Sequence, residues 1–531
     1  MPPESHTDMF AILPGSALAP GGAAQVGNKA WNLMRMAQAG LPVPPAFVLP
    51  TDWCGRKGDD PALHQALVDG IEILETANGL AFGGLRRPLL VSVRSGAAVS
   101  MPGMMETVLD VGLNAATVEA LIRQTGNPRL AWDSYRRLVQ GYAEVVAALP
   151  TAPFDALLAA ALLAADADSE RDLDHRDLRA LTGAMLACYR DLAGHDFPSE
   201  PMVQLTAATA AVFRSWDAPK AVSYRRLNHI DPRAGTAVTV QTMVFGNAGG
   251  ASGAGVGFTR NPATGAHEFY FDFQFDGQGE DVVAGRQKLQ DHDRLQRVLP
   301  AVWLRLEEIC RVLEKLFGDA QDFEFTVQSG VLFLLQTRRA KRTDWAALVI
   351  AADMVTEGLL APSAALAQIS GIKVGSVART RFAPPVPPTL ATAQVASLGV
   401  ACGAIAFDSA AVARLVAAGT PAILVRQDTV TSDIEGMAGA AGILTGAGGR
   451  TSHAAVVARQ LGKVCLVGCP NLEIDAPRRQ CRIGGVLLNE GDTLALDGNT
   501  GTVHAGRLSV LTERPEAALK VVASWQLVTA S

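Results

Sequence analysis

The sequence has no Cys-x-x-Cys pair. Its seven cysteines are an odd number, and the closest group, Cys465, Cys469 and Cys481, lacks a standard zinc spacing. A disulfide framework and a zinc module are therefore set aside in favour of reduced, mostly buried thiols in a cytoplasmic protein. No apolar run is long enough for a bilayer: the purest, Ala156 to Ala165, is closed by Asp155 and Asp166. The first residues, Met-Pro-Pro-Glu-Ser-His, show no basic stretch followed by an apolar one, which argues against a secretory signal. There is no basic surplus either. Lys plus Arg is 46 against 52 Asp plus Glu, a net charge of −6, so a dedicated nucleic-acid binder is not expected. A local basic pocket for a phosphorylated small molecule remains compatible with that balance.

What is present is a chain of 531 residues, 49% hydrophobic and 18% charged, which excludes wholesale disorder. At roughly 150 residues per domain, about three or four domains are expected. The first 120 or so residues are rich in Gly and Pro and contain strand-like runs such as Leu89 to Val93. From about 121 to 225, Ala-Leu runs and periodic apolar positions such as Leu178, Leu181, Met185 and Leu192 predict amphipathic helices. Strand signals return between about 236 and 337, as in Thr236 to Phe245 and Val331 to Leu335. Residues 344–394 read as a helical and then Pro-rich linker, densest at Pro384 to Pro388, where fixed φ angles and missing donors make a stiff connector. Short β/α units fill 395–507. Residues 508–531 form a tail without an interpretable motif.

Three stretches suggest chemistry. In Gly446-Ala-Gly-Gly-Arg-Thr-Ser-His-Ala-Ala-Val-Val-Ala-Arg459, an apolar strand runs into a glycine turn, and Thr451 and Ser452 suit a helix cap. His453 then falls in the first helical turn, where free N–H groups favour an anion, and its imidazole is a competent nucleophile near neutral pH. A structural histidine beside a tight turn fits the spacing equally well. The second stretch is Gly246-Asn-Ala-Gly-Gly-Ala-Ser-Gly-Ala-Gly-Val-Gly257. Gly249, Gly250, Ser252 and Gly253 there could form a phosphate loop, with Arg260 as an added donor. It matches neither a Walker A loop nor a dinucleotide fingerprint, and a plain hairpin loop is the alternative. In the third, alternation puts Asp322 and Glu324 on one face of a strand, and Gln336 and Arg338 on one face of the next. Paired antiparallel, they offer oxygen ligands suited to Mg²⁺ on a nucleotide, or simply a solvated ion-paired face. Lys29, one of only nine lysines, follows Gly27-Asn28, and Arg94 ends a strand.

These pieces occur together and in order. Gly27-Asn-Lys-Ala-Trp-Asn-Leu33, Val91-Ser-Val-Arg-Ser-Gly96, Trp132-Asp-Ser-Tyr-Arg-Arg137, Phe258-Thr-Arg-Asn-Pro-Ala-Thr-Gly265, Gln336-Thr-Arg338 and Thr451 to Arg459 make the chain resemble the pyruvate phosphate dikinase family. The likeness spans nearly all of residues 25 to 505. It implies a multidomain α/β and α+β protein, with an ATP-grasp nucleotide-binding module over 1–343 and a swivelling phosphohistidine domain over 395–507. It also implies ATP and Mg²⁺ bound by Lys29, Arg94, Asp322, Glu324, Gln336 and Arg338, with Glu324 and Gln336 at the metal. In the family a histidine at the place of His453 takes the β-phosphoryl group of ATP, inorganic phosphate takes the γ-phosphoryl, and AMP and pyrophosphate leave. A threonine at the place of Thr451 is a regulatory phosphorylation site there.

The resemblance has gaps. Ala447 stands where arginine is expected, Arg450 where methionine is, and Ala254 where threonine is. The family continues into a (β/α)₈ barrel for pyruvate or phosphoenolpyruvate; such a barrel needs about 250 residues and about 25 follow the carrier region. The expectation is thus a half-reaction, with the acceptor site on a separate barrel protein or another phosphoryl acceptor, no nucleic-acid or membrane partner, and a homodimer left open. Two alternatives stand beside it. One is a phosphotransferase to another small molecule, for which the stretch of about 345–395 is too short to hold a dedicated binding domain. The other is a non-catalytic ATP-binding regulatory paralogue.

Overall fold

The computed structural model describes residues 9–56, 58–99, 101, 105–279, 292–429, 433–448 and 453–529. Over these the protein is a mixed α/β, multidomain chain with several sheets. The N-terminal half is built on two antiparallel sheets. One has five strands in the order Phe10–Ile12, Ala46–Leu49, Ala237–Thr242, Val91–Gly96 and Thr107–Val111. The other has four, in the order Val331–Arg339, Gln321–Gln328, Gly253–Phe258 and Tyr270–Phe275.

Period-two alternation lets the five-stranded sheet feed two cores. Phe47 and Leu49 point into one, with Val238, Val240 and the helices Ala115–Thr125, Pro128–Val145, His175–Ala193 and Pro201–Arg214. Ala46, Val48 and Ala237 point into the other, where the helix Gly22–Gln38 meets the phenyl rings of the four-stranded sheet. That helix therefore lies between the two sheets, and its residues can face whatever space the sheets leave between them.

The glycine-rich run has a packing cause. In the strand Gly253–Phe258 the glycines alternate on the face that Phe273, Phe325 and Phe323 cover. A Cβ at Gly253 would lie 2.3 Å from the Phe273 ring, one at Gly255 2.4 Å from Phe325, and one at Gly257 2.6 Å from Phe323. Missing side chains make room for aromatic rings from the neighbouring strands.

Toward the C-terminus, eight strands form one mixed sheet. Its centre is parallel, Val400–Ala406, Ala422–Arg426, Gly442–Thr445 and Val464–Val467, with helices Ser409–Ala417, Ile434–Gly439 and His453–Gln460 as crossovers. Thr389–Thr392, inside the stretch expected to be linker, is an edge strand of this sheet. The stretch expected to be a featureless tail also has a structure. Val510–Glu513 returns to pair with Arg379–Phe382, and Ala518, Val522 and Trp525 of the helix Glu516–Thr529 pack against Leu348, Ala351 and Ala352 of the helix Asp344–Thr356. Two chain segments, 383–388 and 506–509, therefore connect the eight-stranded sheet to this platform.

Candidate functional site

The site starts at a broken helix. Within Gly22–Gln38, Gly27 departs from helical geometry with φ 75° and ψ 155°. Asn28 then donates its backbone N–H to Ala97 O at 2.9 Å, tying the restarted helix to the end of the strand Val91–Gly96. Lys29 in the restarted turn and Arg94 in the strand thereby face one cavity of about 550 Å³. Alternation adds Ser92, two residues before Arg94, and the cross-strand register adds Gln241 opposite Ser92 and Thr107 opposite Arg94.

The four-stranded sheet supplies the opposite wall. Asp322 pairs with Arg338 and Glu324 with Gln336 in antiparallel register, as the alternation predicted. Immediately after, the register slips: Phe325 pairs with Leu334, and Leu335 is the extra residue of a bulge. Glu324, Leu335 and Gln336 line the cavity. Gln336 Nε2 donates to Glu324 Oε1 at 3.4 Å. Asp322 and Arg338 sit two register pairs further along, on the same face, as an ion pair of 2.8 Å and are not among the lining residues.

The electrostatics of this space are uneven. Burial among protein atoms, and next the Arg94 guanidinium, bring the Lys29 ammonium down from 10.5 to about 8; Glu324 opposes the shift and Arg338 adds to it. Part of the Lys29 surface still opens into the cavity. Arg94 Nε is buried with no hydrogen-bond partner. Burial also raises the Asp322 carboxyl, although Arg338 pulls the other way, and Asp322 Oδ1 is buried without a partner. Three cations, Lys29, Arg94 and Arg137, and one lining carboxylate, Glu324, around an open space make a seat for an anion that brings its own counter-ion.

Other expected residues lie elsewhere. Gly249 N–H donates to Asp276 Oδ1 at 3.2 Å, Ser252 Oγ accepts from Ser329 N–H at 2.9 Å, and none of Gly249, Gly250, Ser252 and Gly253 lines the cavity, although Gly255 does. Arg260, expected as a donor to phosphate, is fully buried and bonded to Glu314 and Glu357. Ala254 is buried in its strand opposite Thr326, which lines the cavity. Arg137 and Gln278 line it too and carried no site expectation; Arg137 is held by Asp133 at 3.0 Å. For Arg137 the sequence signal was membership of the Trp132–Arg137 motif behind the family resemblance.

His453 is the first described residue of the helix His453–Gln460, which follows the strand Gly442–Thr445 in the chain. Thr451, Ser452, Gly449 and Arg450 lie outside the described residues. Ala447 N–H donates to Gln427 O at 2.7 Å, so that position is fixed by backbone bonding. Every lining residue of the cavity comes from positions 29 to 336. Among the described residues, no helix is long and apolar enough to cross a membrane.

Two family models match separate parts of the chain. The family model for the pyruvate phosphate dikinase AMP/ATP-binding domain matches residues 60–296, and that for the mobile domain of PEP-utilising enzymes matches residues 419–501. Pyruvate, phosphate dikinase of Clostridium symbiosum is 42% identical over 490 residues, 91% of this chain and 56% of its own length. Pyruvate, phosphate dikinase 2 of Zea mays is 43% identical over 490 residues, 91% of this chain and 55% of its own. The chloroplastic pyruvate, phosphate dikinase 1 of Arabidopsis thaliana is 40% identical over 509 residues, 94% and 53% respectively. The chain thus spans about half the length of the curated relatives it matches.

Proposed function

We propose that this chain, which belongs to the pyruvate phosphate dikinase family, binds Mg·ATP between its two N-terminal sheets and uses it to phosphorylate its own His453. The N-terminal module is read as an ATP-grasp fold and residues 395–507 as a swivelling carrier. One observation carries the reading: Lys29, Arg94, Glu324 and Gln336, from four separate elements, line a single cavity. Lys29 and Arg94 bind phosphoryl oxygens, and the unpartnered Arg94 Nε suits an incoming anion. Glu324 and Gln336 would hold Mg²⁺, with Asp322 and Arg338 supporting them. Oxygen donors such as the Glu324 carboxylate and the Gln336 amide suit a magnesium ion whose other ligands are phosphoryl oxygens and water. Bound there, Mg²⁺ supplies positive charge where phosphoryl oxygens crowd together.

The chemistry then balances as follows. An imidazole nitrogen of His453 forms a bond to the β-phosphorus of ATP, and the bond to the α-phosphoryl oxygen breaks to release AMP. An oxygen of inorganic phosphate then bonds to the γ-phosphorus, the bond between that phosphorus and the oxygen bridging it to the β-phosphorus breaks, and pyrophosphate leaves with the β-phosphoryl kept on His453, so ATP, phosphate and histidine give AMP, pyrophosphate and phosphohistidine. Among the described residues none of 389–507 lines the cavity; on this reading the carrier travels, with segments 383–388 and 506–509 as its crossings. The phosphoryl group passes to an acceptor outside these modules. Thr451, two residues before His453, is read as a brake: a phosphate there adds nearly two negative charges beside the histidine and repels those of ATP.

The test is to incubate the chain with β- or γ-labelled ATP, Mg²⁺ and phosphate. β-Label should appear on the protein as an acid-labile, base-stable adduct. His453→Asn should bind ATP and take no label, and Thr451→Glu should be labelled more slowly than Thr451→Val. Label persisting in His453→Asn would move the carrier to another histidine. ATP binding without any label in the parent chain would favour the non-catalytic reading.

A further inference from the structure

We propose that Gly27 is a positioning residue: the contact of its bare Cα face with the Gly96 carbonyl sets the spacing of Lys29 and Arg94. The inference rests on the reading of the cavity as an ATP site. The contact lies two residues from each cation along the sequence: Gly27 comes two before Lys29, and Gly96 two after Arg94. A Cβ on Gly27 would stand 2.0 Å from Gly96 O and 2.5 Å from its carbonyl carbon. No real contact is that short, so either the helix or the strand would have to withdraw.

The strand is not free to do so. Gly96 pairs with Ala237, and its N–H donates to the buried Thr236 Oγ1 at 3.2 Å. The helix end is therefore the part that moves, and Lys29 moves with it. The backbone geometry adds a second requirement. A φ of 75° with ψ of 155° is open to glycine and essentially closed to residues with a side chain. That conformation breaks the helix, turns Asn28 N–H out to Ala97 O, and starts the turn that carries Lys29. The Lys29 stem then crosses Gly96 closely: a Cβ built on Gly96 would meet Lys29 Cβ at 3.8 Å.

Gly40 is a natural control. Its φ is 74°, but a Cβ there meets nothing within 4 Å. Gly40→Ala thus carries left-handed strain without a collision, whereas Gly27→Ala carries both. The experiment measures Mg·ATP affinity by titration calorimetry and thermal unfolding on the full chain for the parent, Gly27→Ala, Gly40→Ala, Gly96→Val and Lys29→Met. Gly27→Ala should lose affinity about tenfold or more, as Lys29→Met does, because charge-assisted contacts depend on placement. Gly40→Ala should unfold at a lower temperature and bind ATP like the parent. Should Gly27→Ala fail to fold, Gly96→Val decides, since valine suits a strand while its methyls press on the Lys29 stem. A folded Gly27→Ala, or in its place Gly96→Val, that binds within about twofold of the parent while Lys29→Met loses binding would overturn the positioning role and leave the cavity reading intact. Equal losses in Gly27→Ala and Gly40→Ala would overturn it as well. Unchanged binding in Lys29→Met would remove both the positioning role and the ATP site on which it rests.

Discussion

Two arginines, Arg94 and Arg260, leave strands of the N-terminal half beside carboxylates, and their surroundings differ in kind. Arg260 is closed in. Its guanidinium donates to both oxygens of Glu314 at 2.9 Å and to Glu357 at 2.6 and 3.3 Å. Burial opposes its charge, and the hydrogen bonds of Glu314 and Glu357 overcome that and raise its pKa. These bonds join Arg260, just past the strand Gly253–Phe258, to the helix Pro300–Phe317 and to the end of the helix Asp344–Thr356, so the network ties the platform to the four-stranded sheet. Arg94, by contrast, has a buried Nε with no partner and a lysine for a neighbour. A buried charge fully matched inside the chain serves structure. One left unmatched beside a cavity destabilises the empty protein and is repaid by a ligand of opposite charge.

That contrast can be broken experimentally. The largest effect is expected from Arg260→Met, which strands Glu314 as a buried, uncompensated carboxylate. Stability should fall by about 3–5 kcal/mol. Denaturant unfolding measures the loss, and ATP affinity of the folded fraction should stay at the parent value. Next come Lys29→Met and Arg94→Gln, each lowering ATP affinity about tenfold or more for the loss of a contact worth roughly 1.5–3 kcal/mol. Unlike Arg260→Met, Lys29→Met should raise stability at neutral pH, since the fold disfavours the charged form of Lys29. A fall in stability there would place Lys29 with the structural charges.

A smaller effect follows from pH. The Lys29 ammonium titrates at about 8 in the folded protein against 10.5 ordinarily, so the unfolded chain holds that proton to higher pH. Its contribution to stability is unfavourable below about 8 and is relieved as pH rises from about 8 toward 10.5. ATP affinity runs the other way, strongest below about 8 and declining above it. A titration series in Lys29→Arg should lack that step, and an identical step there would assign it to another group. The smallest effect is expected from Gly250→Ala, at φ 53° in open space. It should cost about 1–2 kcal/mol for the left-handed residue and leave ATP affinity alone. A loss of affinity would return the glycine run to the list of phosphate contacts.

The glycine run shows where sequence reading stopped. Its spacing suits a phosphate loop and a ring-covered strand equally, and only the phenyl rings of Phe273, Phe325 and Phe323, brought by other strands, decide between them. Arg260 failed for the same reason, because its partners lie 54 and 97 residues away. The returning segment after 508 did carry a signal: Ala518, Val522 and Trp525 recur at helical spacing. It could not be interpreted before the helix Asp344–Thr356 was known to offer the matching face.

What the sequence determined by itself was local. Period-two alternation put Asp322 with Glu324 on one strand face and Gln336 with Arg338 on one face of the next, and the register that pairs them came from the structure. Cap-like and helix-forming residues around His453 predicted the helix that the structure places over His453–Gln460. The meeting of Lys29 with Arg94, and of both with Glu324, was decided only by tertiary structure. It depends on a helix lodged between two sheets and on one backbone contact, Gly27 against Gly96, between segments nearly seventy residues apart. Local sequence sets which way a side chain points from its own strand or helix. Which other side chain it meets is set by close packing between elements, and no spacing along the chain encodes that.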